Sequence, residues 1–201
     1  MSGPDESDFQ VLIVCKANHC RSPLAEHLLR AELGYRDLPW TVSSAGTRAR
    51  PGQPMHPSAA RILAGRDIDA RTWTSRRLTA EMVQRADLVL TADEEQRGTI
   101  ARLVPTALPR SFTLLQFGYL SASVPPPAST GAEYGRQLLE RVQEVRGFMQ
   151  PLRRPERDLP DPMGQSYLKF RRCAGAVERA VDEMLSGAPI RDWRWPSTAT
   201  A

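Results

Sequence analysis

Phe9-Gln10-Val11-Leu12-Ile13-Val14-Cys15 runs directly into Lys16-Ala17-Asn18-His19-Cys20-Arg21-Ser22-Pro23, and this junction decides the fold. The unbroken apolar run from Val11 to Cys15 has the character of a strand buried on both faces of a parallel sheet. A short polar loop follows. Ser22-Pro23 then reads as a helix start, with Ser22 as N-cap and Pro23 at the first helical position. The alternation repeats outward from there. Trp40-Thr41-Val42-Ser43-Ser44, Asp87-Leu88-Val89-Leu90-Thr91 and Phe112-Thr113-Leu114-Leu115 have strand character. Between them, apolar residues fall at helical spacing: Leu24, Leu28 and Leu29, then Ala60, Leu63 and Ala64, then Ile100, Leu103 and Val104. The pattern predicts an α/β three-layer sandwich, a central four-stranded parallel sheet with helices on both faces.

Two stretches depart from this minimal unit. Val124-Pro125-Pro126-Pro127 opens a segment whose middle, Tyr134 to Met149, has helical spacing at Leu138, Leu139, Val142 and Val145. It predicts a helical hairpin or lid inserted at about 119–157, too short to bury a core of its own. A final helix is expected from about Gln165 to Leu185, with Leu168, Ala176, Val177, Ala180, Val181 and Met184 on one side. The domain is thus expected over 9–186, with a disordered N-terminus at 1–8. A loose tail at 187–201 holds Trp193 and Trp195, which are able to dock back.

Composition bounds the function. The 201 residues are 41% hydrophobic and 25% charged, which suits a soluble globular chain rather than a disordered one. The longest apolar run is far below the roughly 20 residues of a membrane span, and the acidic Met1–Asp8 is no secretory signal. Three cysteines cannot all pair, so a reducing cytoplasm is the expected home. Of the 27 basic residues only Lys16 and Lys169 are lysines, and the net charge is +4. The arginines are interspersed with acids, and a pair such as Arg153-Arg154 reads as a solvated face. Neither a nucleic-acid partner nor a membrane partner is expected.

The loop carries the chemistry. Squeezed between a parallel strand and a helix N-terminus, its backbone N–H groups turn inward as an anion cradle. Cys15 lies at the bottom, where those groups and Arg21 would stabilise a thiolate. The Arg21 guanidinium is a planar fork matched to two oxygens of a phosphorus oxyanion. The spacing Cys-x5-Arg alone proves little, since Cys173 and Arg179 also satisfy it, mid-helix and without a cradle. Context separates the two.

Cys15 to Pro23 resembles the phosphate loop of the low-molecular-weight protein tyrosine phosphatases. Val42-Ser43-Ser44-Ala45-Gly46-Thr47, Ala86-Asp87-Leu88-Val89-Leu90 followed by Asp93, and Asp161-Pro162 are similar to further motifs of that family, in the same order. The resemblance covers roughly 9–118 and 158–186. It implies that Cys15 attacks phosphorus to form a phosphocysteine, that Arg21 holds the equatorial oxygens, and that Asp161 is the general acid and base. It implies a phosphate site made of Lys16, Ala17, Asn18, His19, Cys20, Arg21 and Ser22, braced by Asn18, Ser22 and Ser44. Cys20 would protect the nucleophile through a reversible disulfide, and neither cofactor nor metal is implied. The implied substrate is phosphotyrosine in a phosphorylated protein, with a small phosphate ester as the alternative. Arsenate reduction would need further relay cysteines, and a non-catalytic phosphoprotein-binding module would have no use for the complete Cys15, Arg21 and Asp161 set. Asp93, with Gln96 three residues on, reads as a helix cap. The chain departs from the family pattern at Ala17 (usually glycine), Trp73 (often histidine), Met163 (commonly aromatic) and Arg50 (aromatic in some members).

Overall fold

The computed structural model of the chain describes residues 8–36 and 38–188; the tail tryptophans and the first seven residues lie outside this range. Strand β1 (Gln10–Cys15) is central in a four-stranded parallel sheet. It pairs with β2 (Thr41–Gly46) on one side and β3 (Leu88–Thr91) on the other, and β4 (Ser111–Thr113) lies beyond β3. The period-two alternation of strand side chains divides the core. Val11, Ile13 and Cys15 face a layer containing α1 (Arg21–Tyr35) and two helices described below. Leu12, Val14 and Val89 face α3 (Ala80–Arg85) and α4 (Glu94–Leu103). A short α2 (Pro57–Ala64) packs beside α1. This is the three-layer sandwich anticipated from the alternating pattern. No helix among the described residues is long and apolar enough to cross a membrane.

The structure corrects several element boundaries. Leu114 and Leu115, read as strand, begin α5 (Leu114–Ser121), because Thr113 ends β4 and its Oγ1 accepts the Gln116 N–H at 3.3 Å as an N-cap. Leu168 belongs to α8 (Tyr167–Leu185) but lies on its outer side, 53% exposed; Phe170, Cys173 and Val177 build the inner face. Leu103 is likewise exposed, and Ile100 with Gln96 fills the inner side of α4.

Within the inserted segment, α6 (Gly131–Val145) buries Tyr134, Leu138 and Val142. Gly135 lets it approach closely, since a Cβ there would stand 2.5 Å from the Phe9 ring. Trp40 Nε1 donates to the Gly131 carbonyl at 3.1 Å, and the Arg146 guanidinium lies 4.2 Å from the Phe112 ring centroid. Phe9 precedes β1 whereas Cys15 ends it, about 20 Å away at strand rise. The helix therefore covers the N-terminal end of the sheet and is not a lid over the loop. The chain then returns through α7 (Arg154–Arg157) to the other end. There Leu159 N–H donates to Ala92 O at 2.8 Å, and Glu94 N–H to Asp158 Oδ1 at 3.1 Å. These bonds bring Asp161 to the mouth of the loop.

Candidate active site

The loop leaves β1 and turns at Asn18, whose φ of 49° is left-handed, a conformation asparagine tolerates better than most residues. That turn aims the Asn18 backbone N–H at Cys15 Sγ, 3.2 Å away, and Ser22 Oγ donates to the same sulfur at 3.0 Å. The backbone N–H groups of Ala17, His19, Cys20 and Arg21 have no hydrogen-bond partner among the described residues, which leaves them available to an anion. Ala17 is not among the positive-φ residues, so its Cβ is accommodated without strain. Gly46 cannot be exchanged so readily. A Cβ there would lie 2.7 Å from Asn18 N and 2.8 Å from Lys16 O, so β2 supports the loop by backbone contact.

Ser22 is not the N-cap. Helix α1 starts at Arg21, with Cys20 at the cap position and no side-chain cap bond, and Pro23 is its third residue. The Ser22 hydroxyl serves the sulfur instead. Asn18 Nδ2 donates to Ser22 Oγ at 2.9 Å and to Ser44 Oγ at 2.8 Å, while Asn18 Oδ1 accepts the Arg76 N–H at 2.7 Å. The amide orientation is fixed by that last bond. With its oxygen already accepting from Asn18, Ser22 directs its own hydrogen to Cys15.

The network ends on a residue the sequence did not single out. Ser44 donates to Glu26 Oε2, which also accepts the Trp73 indole N–H at 3.0 Å. Glu26 is 2% exposed, and Arg30 pairs with its other oxygen at 2.8 Å. A buried carboxylate is tolerable only when paired and hydrogen-bonded, and here both conditions are met. Trp73 thus closes the bracing network as a pure donor. Glu26 follows Ser22 by four residues, hence on the same helical face, which was the available signal.

Arg21 is 5% exposed and joins two carboxylates. Nη1 pairs with Asp93 Oδ2 at 2.9 Å, and Nη2 with Asp161 Oδ2 at 3.2 Å. Asp93 does cap α4, its Oδ1 accepting the Gln96 N–H at 3.1 Å, but its other oxygen positions Arg21, a second role unseen in the sequence. Burial works against the guanidinium charge, yet Cys15, Asp161 and Asp93 outweigh it and raise the Arg21 pKa. Of the five donors, Nε–H and one hydrogen of Nη2 remain for an oxyanion. The Asp161 side chain is 49% exposed, and its Oδ1 accepts the Met163 N–H at 3.2 Å.

Around this centre, Lys16, Ala17, Arg50 and Met163 are exposed. The His19 ring meets His56 edge-on at 5.5 Å, and His56 stacks on Phe170 at 4.4 Å. His56 Nδ1 also accepts the Ser58 N–H at the start of α2, and burial together with His19 lowers its pKa. Cys20 is buried; desolvation first, then the neighbouring Cys15 charge, pushes its thiol up to about 12. Cys173, buried on α8, is likewise pushed up to about 12 by desolvation.

The family described as low molecular weight phosphotyrosine protein phosphatase matches residues 10–134. The probable low molecular weight protein-tyrosine-phosphatase EpsP of Ralstonia nicotianae is 39% identical over 173 residues, 86% of this chain and 90% of that protein. The crystal structure of the Erwinia amylovora tyrosine phosphatase AmsI, 21% identical, superposes with a TM-score of 0.64 over 89% of this chain and 92% of its own. The YwlE arginine phosphatase of Geobacillus stearothermophilus, 25% identical, also gives 0.64 over 89% and 91%. With a sulfur held between two donors, a guanidinium joined to two carboxylates, and this match over most of its folded length, the chain belongs to the low molecular weight phosphotyrosine protein phosphatase family.

Proposed function

We propose that the chain hydrolyses phosphotyrosine in proteins through a phosphocysteine intermediate. The observation that carries this reading is Cys15 Sγ receiving the Asn18 N–H and the Ser22 O–H beside a charged, buried Arg21. In the first step the Cys15 sulfur attacks phosphorus, the P–O bond to the leaving group breaks, and Asp161 supplies the proton to the departing oxygen. In the second, Asp161 takes a proton from water, which attacks phosphorus and releases phosphate and the sulfur. Arg21 and the available loop N–H groups of Ala17, His19, Cys20 and Arg21 stabilise the equatorial oxygens in both steps, the main requirement of phosphoryl transfer.

Phosphotyrosine is favoured over a small phosphorylated metabolite by the names of the relatives that match most of this chain. Phosphoarginine enters the test because one structural neighbour is described as an arginine phosphatase. With no metal added, the wild-type protein is expected to hydrolyse p-nitrophenyl phosphate and a phosphotyrosine peptide. Its kcat/KM for the peptide is expected to exceed that for sugar phosphates and phosphoarginine by about tenfold or more, the scale set by one good specificity contact. A higher kcat/KM for either rival would replace the tyrosine reading.

Cys20 is proposed as a protective thiol. Peroxide would convert Cys15 to its sulfenic acid, and condensation with the Cys20 thiol would give a disulfide and water. The three free cysteines also support a reducing, cytoplasmic setting. Because burial pushes the Cys20 thiol up, its thiolate is scarce near neutrality and disulfide closure is expected to accelerate as pH rises. After peroxide treatment the wild type is expected to recover with dithiothreitol and Cys20→Ser to stay inactive. Equal recovery of both proteins removes Cys20 from this role.

A further inference from the structure

Beside the acid loop, an open groove of about 780 Å³ runs along the outer side of α8. Pro160, immediately before Asp161, lines one end, and Leu168, Arg171, Arg172, Gly175 and Arg179 follow along the helix. Their spacing of three and four residues makes one stripe. Most guanidinium groups of this arginine-rich chain are held by carboxylates, carbonyls or rings. Those of Arg171, Arg172 and Arg179 are exposed and have no hydrogen-bond, ion-pair or ring partner among the described residues. The acids that also line the groove are already engaged: Glu178 with Arg66, Asp158 with Arg154 and the Glu94 N–H, and Glu156 with the Arg153 N–H. The Arg179 guanidinium lies back along the groove, its Nη1 3.7 Å from where a Gly175 Cβ would be. The groove therefore presents three arginine charges without a side-chain partner among the described residues, and of its acids Glu178 and Asp158 are paired with other arginines.

From this we propose that the α8 groove is a docking site for the anionic residues that flank the phosphorylated residue of a protein substrate, an inference that rests on the phosphatase reading above. Reach supports it. Leu168 to Arg179 spans about 17 Å of helix axis, which an extended peptide covers in about five residues. A substrate with its phosphate in the loop would leave past Asp161 and Pro160 and meet the arginines within a few residues. Positive charge facing a negative segment speeds encounter and selects partners, and exposed pairs are sensitive to salt.

The test compares phosphotyrosine peptides flanked on both sides by Glu, Gln or Lys, with p-nitrophenyl phosphate as a substrate that has no flanks. The wild type is expected to prefer the Glu-flanked over the Gln-flanked peptide in kcat/KM by about tenfold at low salt, three exposed charge pairs each contributing a small factor. The preference should shrink as salt is raised. In the triple variant Arg171→Gln, Arg172→Gln, Arg179→Gln, the preference is expected to fall severalfold, with p-nitrophenyl phosphate turnover unchanged. The corresponding Arg→Glu triple variant should favour Lys flanks. A wild type indifferent to flank charge, or a triple variant with the wild-type preference intact, overturns the proposal. If the wild type turns over no phosphotyrosine peptide, the phosphatase reading fails separately. Calorimetric binding of the same peptides carrying a phosphonate then decides the groove by the same ratios.

Discussion

Cys15→Ser is expected to lose turnover of every phosphate ester, on the order of 10⁴-fold or more, the scale seen when a covalent nucleophile is removed. Nothing about the cradle changes. Asn18 N–H and Ser22 O–H, which point at the sulfur from 3.2 and 3.0 Å, would point at a hydroxyl oxygen instead. A hydroxyl is a far weaker nucleophile than a thiolate unless a base activates it, and no imidazole or carboxylate is hydrogen-bonded to Cys15 among the described residues. Binding should survive, because Arg21 and the loop N–H groups are untouched. Calorimetry on the variant is therefore expected to give a phosphotyrosine-peptide affinity within about tenfold of that for the wild-type protein with a phosphonate analogue. Wild-type turnover by this variant would rule out sulfur as the nucleophile. Loss of binding along with activity would mean that the sulfur holds the substrate as well as attacking it.

The sequence around Cys15 was readable because two local signals coincide there, a doubly buried strand and a helix start. Both follow from neighbouring residues alone. Asp93 shows where such reading stops. Its cap on α4 is a local pattern and was legible, but its pairing with Arg21, 72 positions away, exists only because β3 lies next to β1. Glu26 and Trp73 are the same case, 47 residues apart and joined through one carboxylate oxygen. The amphipathic pattern of α6 required that Tyr134, Leu138 and Val142 be covered but did not say by what. Gly135 against the Phe9 ring answers that only in three dimensions. Ser22 failed for another reason. Its hydroxyl had two possible uses, accepting a helix N–H as a cap or donating to a sulfur; local propensity favours the cap, while the Asn18 side chain turns it to the sulfur.

Asp161→Asn is expected to lower kcat on phosphotyrosine by about 10²–10⁴-fold, the usual contribution of a positioned general acid. Three carboxylates stand near Arg21 and α4, and the geometry distinguishes them. Asp93 uses both oxygens inward, on Arg21 and on the Gln96 N–H. Asp158 faces the Glu94 N–H and Arg154; its pKa is raised by burial first, but it takes no part in the Arg21 pairings. Asp161 alone is both half-exposed and within 3.2 Å of Arg21, so it can reach a leaving group entering from solvent. Asparagine keeps the shape of the acid loop and its bond from the Met163 N–H, yet it has no proton to give and none to take. The loss should therefore depend on the leaving group. Phenyl phosphate, whose phenolate needs the proton, should suffer most, and p-nitrophenyl phosphate, whose leaving anion is stable, much less in the first step. With the second step also deprived of its base, p-nitrophenyl phosphate should give a burst of one nitrophenolate per active site followed by slow turnover. Asp158→Asn should change kcat by less than about threefold, since its carboxylate only anchors a helix end. An Asp161→Asn protein that treats both esters alike, without a burst, would move the acid to another side chain, and Asp158 would be the first to try.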